Sequence, residues 1–101
     1  MIPRRHVPDL WSADPTLAGE LIAAVIQVGR AIEAALTPDG MNLITSSGAE
    51  AEQTIYHLHL HLLPRYRDDG FDDIWPPKRD MPDLDLEGIA NRIRDACRSN
   101  A

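Results

Sequence analysis

With 101 residues and a net charge of −6, the chain is long enough for one small domain with a thin core, and its acidity argues against broad nucleic-acid binding, which needs a basic surface to displace counterions. A composition of 44% hydrophobic and 26% charged residues excludes disorder, and no apolar run approaches the roughly 18 residues of a membrane-spanning helix. The single cysteine, Cys97, excludes an internal disulfide and fits a reducing cytoplasm.

The opening stretch, Ile2-Pro3-Arg4-Arg5-His6-Val7-Pro8, is basic and proline-punctuated. It reads as an extended leader and lacks the apolar stretch of a signal peptide. Asp14-Pro15 reads as a helix start, with Asp14 as cap and Pro15 where a missing N–H costs nothing. Leu17, Leu21, Ile22, Val25, Val28, Ile32 and Leu36 follow at helical spacing, which predicts a long amphipathic helix over 15–36. Thr37-Pro38-Asp39-Gly40 stops it and turns the chain. Met41–Ser46 reads as a short strand, and Ser47–Glu52 as a small-residue, acidic loop. Thr54–Leu63 alternates like a strand and is expected to end at Pro64. Arg65–Arg79 is irregular, with Tyr66, Gly70, Phe71, Trp75, Pro76 and Pro77. A last helix fits 84–98, with Leu86, Ile89, Ile93 and Cys97 on one face. The acids at Asp68-Asp69, at Asp72-Asp73 and between Asp80 and Glu87 read as solvated surface.

The order helix, strand, strand, helix predicts an α+β fold: a small antiparallel sheet packed on one long helix, with a C-terminal helix alongside. Two strands are marginal alone. The leader, a second copy of the chain, or both must complete the sheet, and a homodimer is expected.

Three of the four histidines lie within His57-Leu58-His59-Leu60-His61. On a strand, side chains alternate faces, so the leucines point to the core and the imidazoles form a row with neighbours roughly 7 Å apart. Three readings stand. The row is the outer face of an ordinary strand; or two of its members ligate zinc or copper; or it carries phosphoryl or nucleotidyl transfer, since imidazole titrates near neutrality and can attack phosphorus or protonate a leaving oxygen.

Gln53-Thr54-Ile55-Tyr56-His57-Leu58-His59-Leu60-His61-Leu62-Leu63-Pro64-Arg65 resembles the signature of the histidine triad (HIT) family. Asn42–Gly48 resembles the strand and loop before that signature, and Ile2–Leu10 resembles the family's leader into its long helix. Pro64-Arg65 and Trp75-Pro76-Pro77 are similar to the branch of fragile-histidine-triad proteins and dinucleoside-polyphosphate hydrolases. The resemblance implies a nucleotide hydrolase or nucleotidyl transferase acting at an α-phosphate: a nucleotide phosphoramidase or dinucleoside polyphosphate hydrolase. It implies His59 as nucleophile, His57 as the group that orients it, and His61 as the contact to the leaving group. Gln53 and Ser46 would bind the phosphate. No resident cofactor is implied, although a divalent metal can accompany a polyphosphate substrate. The alternatives are a nucleotide- or phosphate-binding module with little turnover, or a histidine metal site.

Arg4 and Arg65 can add positive potential or simply decorate the surface, and His6 has a structural role as readily as a phosphate role. The resemblance also implies a truncated HIT-like domain over residues 1–101. The strands that normally precede this point supply the nucleoside pocket, so the chain is either an abbreviated protein or the product of a start placed late. Glu52 stands where a small residue, often glycine, is usual. The expected setting is cytoplasmic, with a nucleotide conjugate as partner and no nucleic acid or membrane.

Overall fold

The computed structural model describes residues 1–71 and 85–99. The expectations for Asp72-Asp73, Trp75-Pro76-Pro77, Asp80 and Asp83 lie outside the described residues. Helix α1 is Pro15–Leu36, strand β1 Gly40–Ile44, strand β2 His61–Arg65 and helix α2 Leu86–Ser99. The leader ends in a short 3-10 turn at Leu10–Ser12, and another spans Ala49–Ala51.

Both ends of α1 follow from local chemistry. The Asp14 carboxylate accepts from Leu17 N–H at 2.9 Å, and Pro15 opens the first turn. At the other end Thr37 adopts a left-handed conformation (φ 44°, ψ 54°) and donates its N–H to the Glu33 carbonyl at 3.1 Å, after which Pro38 bars continuation. Left-handed backbone at a β-branched residue is strained by about 1–2 kcal/mol. Thr37 is exposed, so Thr37→Gly loses little packing. It is expected to raise stability by about 0.5–1 kcal/mol after the added entropy of the unfolded chain. A thermal melt checks this; an unchanged or lower Tm counts against the strain.

Strands β1 and β2 form a two-stranded antiparallel sheet with register Gly40↔Arg65, Asn42↔Leu63 and Ile44↔His61. The strand expected over 54–63 is corrected here. It begins at His61 and runs through Pro64 to Arg65. A ladder needs a partner, and β1 ends at Ile44, opposite His61, so among the described residues no sheet strand faces residues 54–60. Pro64 does not end the strand because both strands of such a sheet are edges, where proline is tolerated. The leader takes up part of the missing pairing: Leu58 N–H donates to Val7 O at 2.7 Å and Leu60 N–H to Met1 O at 2.8 Å.

Alternation nevertheless holds through this stretch. Leu58 and Leu60 are 1% and 2% exposed and pack with Leu21 and Val25 of α1, with Met1, Val7, Leu10, Ala13 and Leu62 around them. Further along α1, Ala31 and Ile32 are buried. Helix α2 packs on α1, with Ile89, Ile93 and Cys97 half-buried, and the Arg92 guanidinium donates to Ala35 O at 2.6 Å. Leu86, expected on that face, is instead 68% exposed, at the first turn of α2.

Just past β2, Arg65 donates to the Asp69 carboxylate at 2.8 Å and to Asn42 Oδ1 at 2.8 Å, and lies over the Phe71 ring. Asp69 also accepts from the N–H groups of Tyr66 and Phe71. The guanidinium, then these amides, hold its carboxyl well below the usual carboxylate range. Arg65 therefore fastens the end of the sheet and is committed to Asp69 and Asn42.

Candidate functional site

The leucines that enter the core turn the histidines outward. His57, His59 and His61 are all half-buried on the opposite side of the segment from Leu58 and Leu60. They do not form one even row. The His59 and His61 rings meet edge to face with centroids 5.0 Å apart, whereas the His57 ring lies against His6 with centroids 5.2 Å apart.

His59 and His61 line a cleft of about 250 Å³ with Ser46, Glu52, Gln53, Thr54 and Ile55. Four of the five residues singled out from the sequence, Ser46, Gln53, His59 and His61, thus share one concavity. The fifth, His57, does not line it, but its main-chain carbonyl bonds the His59 ring that does. A larger groove of about 380 Å³ between the leader and α1 is lined by Ile2, Arg4, Arg5, Leu17 and Glu20 among others. It contains no histidine, and the smaller cleft is the better site because titratable groups converge there.

Hydrogen bonding fixes the protonation of the rings. His59 Nδ1 lies 2.8 Å from the His57 carbonyl oxygen. A carbonyl can only accept, so Nδ1 carries the hydrogen and Nε2 of the neutral ring keeps its lone pair. The group that orients His59 is the main chain of His57, not its imidazole. His57 Nε2 lies 3.0 Å from Pro3 O and so donates to it; in the neutral pair His57 Nδ1 then accepts from His6 Nδ1–H at 3.0 Å. His6, for which a structural role was equally open, is joined to the triad in this way. The signal was its place after Pro3-Arg4-Arg5, on a leader that must lie beside the histidine segment. Burial, followed by the charge of neighbouring His59, pushes the His61 imidazole below its ordinary value.

The loop wall is held from behind. Ser47 Oγ donates to Asp9 at 2.7 Å, Thr45 Oγ1 donates to His59 O at 2.9 Å, and Gln53 is buried with its amide on the main chain. Hydrogen bonds from Ser47 and Ser12 keep the Asp9 carboxyl below its usual value. Glu52 takes a left-handed conformation (φ 66°, ψ 26°), a backbone geometry that glycine adopts without strain.

Among the described residues, no group of three or more His, Cys, Asp or Glu side chains is arranged to hold a metal ion. No helix among them is long and apolar enough to cross a membrane.

Residues 1–68 match the HIT domain family. The chain is 33% identical to Protein hit of Bacillus subtilis over 96 residues, covering 92% of this chain and 66% of that protein. It is 35% identical to the adenylylsulfatase HINT3 of Arabidopsis thaliana over 65 residues, 64% of this chain and 33% of that one. Among solved structures it resembles a hypothetical histidine triad nucleotide-binding protein of Sulfolobus tokodaii, with a TM-score of 0.80 and 31% identity over 97% of this chain and 67% of that one. The chain spans less than two thirds of the length of these two sequence relatives.

Proposed function

The chain belongs to the HIT domain family, and from that premise we propose that it is a nucleotide hydrolase or nucleotidyl transferase acting at an α-phosphate. The observation that carries this is the His59 ring, held by the His57 carbonyl with a bare Nε2, beside His61 in the cleft. Nε2 attacks the α-phosphorus, a P–N bond forms, and the bond to the leaving group breaks as that group takes a proton from His61. Water then attacks phosphorus as its proton passes back to His61, the P–N bond breaks, the nucleoside monophosphate leaves and the free imidazole is regenerated. Ser46 supplies a hydroxyl to a phosphate oxygen from the cleft wall. The imidazoles provide both nucleophile and acid, so turnover needs no resident metal; a divalent ion accompanies the substrate only when the leaving group is a polyphosphate. Release of AMP from a model phosphoramidate in the presence of a chelator tests the reading. Nucleotide binding without AMP release would instead make the chain a binding module.

The expected activity–pH profile is a bell, because attacking and protonating imidazoles must hold opposite protonation states and titrate as a set. His61 loses its proton at lower pH than an ordinary imidazole, so the alkaline limb of the bell is displaced to the acidic side. Initial rates from about pH 5 to 9 decide this, and a flat profile counts against imidazole chemistry.

We further propose that the protein works as a cytoplasmic homodimer. Ile22, Ile26 and Leu43 are 37%, 49% and 49% exposed, and Ile26 and Leu43 flank a groove between α1 and β1. Exposed apolar surface of this kind, and a sheet of only two strands among the described residues, both favour a second copy. Light scattering is expected to give about twice the 11.2 kDa of one chain; a mass of one chain with a cooperative melt refutes the dimer.

A further inference from the structure

Residues 53–60 carry two of the triad histidines, and among the described residues no sheet strand lies beside them. The leader and Thr45 hold them instead: Leu58 N–H donates to Val7 O, Leu60 both donates to Met1 O and accepts from the Met1 ammonium, and Thr45 Oγ1 donates to His59 O. Where the segment begins, one side chain holds three pieces of backbone together. Gln53 is 6% exposed. Its Oε1 accepts from Gly48 N–H at 2.8 Å, and its Nε2 donates to Pro8 O at 2.7 Å and to Ile55 O at 3.1 Å. Its own backbone N–H donates to Gly48 O at 3.1 Å, so Gln53 grips Gly48 from both sides. Gly48 sits at φ 89°, a conformation that suits glycine and lets the loop turn back here.

A carboxamide has two N–H donors, and both of these point at main-chain carbonyls. No donor remains for a phosphate unless one of these bonds breaks. We propose that Gln53 is a positioning residue for the reaction. Its buried amide fastens the leader, the loop at Gly48 and the start of the histidine segment, and so fixes the main chain that presents the His57 carbonyl to His59. It acts through that carbonyl and the ring it orients, not by touching the substrate. The inference rests on the nucleotidyl-histidine reading above.

Two variants of equal length separate the possibilities. Gln53→Met removes every polar contact; Gln53→Glu keeps an acceptor for Gly48 N–H and gives up both donors. Each is compared with the parent by thermal melting, by nitrogen NMR of the His59 ring, and by kinetics on AMP conjugates with an alkylamine and a nitrophenolate leaving group. Positioning predicts that Gln53→Met lowers kcat by about tenfold or more, by the same factor for both conjugates, with KM little changed. It also predicts that the His59 ring shifts from one Nδ1–H tautomer toward a mixture in the folded variant, with Gln53→Glu intermediate. A loss confined to the alkylamine conjugate, or a raised KM with the His59 tautomer unchanged, overturns the proposal in favour of a direct phosphate contact. Should Gln53→Met fail to fold, Gln53→Glu carries the same comparisons. If the parent protein releases no AMP, the functional reading fails by itself, and the tautomer shift still decides whether Gln53 sets the His59 ring.

Discussion

His59→Asn is expected to abolish nucleotidyl transfer, whereas His57→Asn is expected to leave a measurable rate. His59 is the ring held as the nucleophile in this reading. His59 has its Nδ1–H tied to the His57 carbonyl and its Nε2 free in the cleft, and an asparagine cannot form the covalent nucleotidyl intermediate. The His57 side chain is directed elsewhere, to His6 and Pro3. Its contribution to His59 comes from a backbone carbonyl that every substitution retains. Orienting groups typically contribute about 10²–10⁴-fold, and the loss in His57→Asn is expected at the low end of that range. Intact-mass measurement after mixing with an AMP conjugate would show the adenylylated protein in the parent and in His57→Asn, and none in His59→Asn. Unchanged turnover in the His59 variant removes the central claim.

Helix α1 was legible to the residue because its signals are local: Asp14 caps, Pro15 opens, apolar residues recur, and Thr37-Pro38 closes. The outward histidines and inward leucines were equally legible, since alternation belongs to any extended backbone and survives where the ladder does not. The start of β2 was not, because residues 54–60 have strand-like chemistry but their pairing depends on where β1 ends, at Ile44, far from them in sequence. The partners of polar side chains were the least legible. Nothing in Gln53-Thr54-Ile55 says that the glutamine turns inward to Pro8 and Gly48, or that the carbonyl of His57 matters more to His59 than its ring. Leu86 fits the helical stripe of α2 and is still exposed, since periodicity marks a face and cannot say how far the neighbouring helix extends.

Leu60→Ala is expected to cost about 2–5 kcal/mol, as is typical for a buried leucine cut to alanine. Leu60 is 2% exposed and packs in a cluster whose fully buried members are few: Leu21, Val25, Leu58 and Leu60. Small domains have total stabilities of about 5–15 kcal/mol, so this one change removes a large part of the margin. Leu60→Met conserves volume and polarity and is expected to cost less than about 1.5 kcal/mol. Urea titration checks both, as a lower midpoint with an unchanged slope. The effect reaches the site, because Leu60 lies between His59 and His61 and its backbone bonds tie that stretch to the leader. The core and the catalytic row are two faces of one segment. Activity in Leu60→Ala should therefore fall in step with the folded fraction and be restored by conditions that restore folding. A fully folded Leu60→Ala protein with unaltered midpoint would mean that the leucine face is not the core.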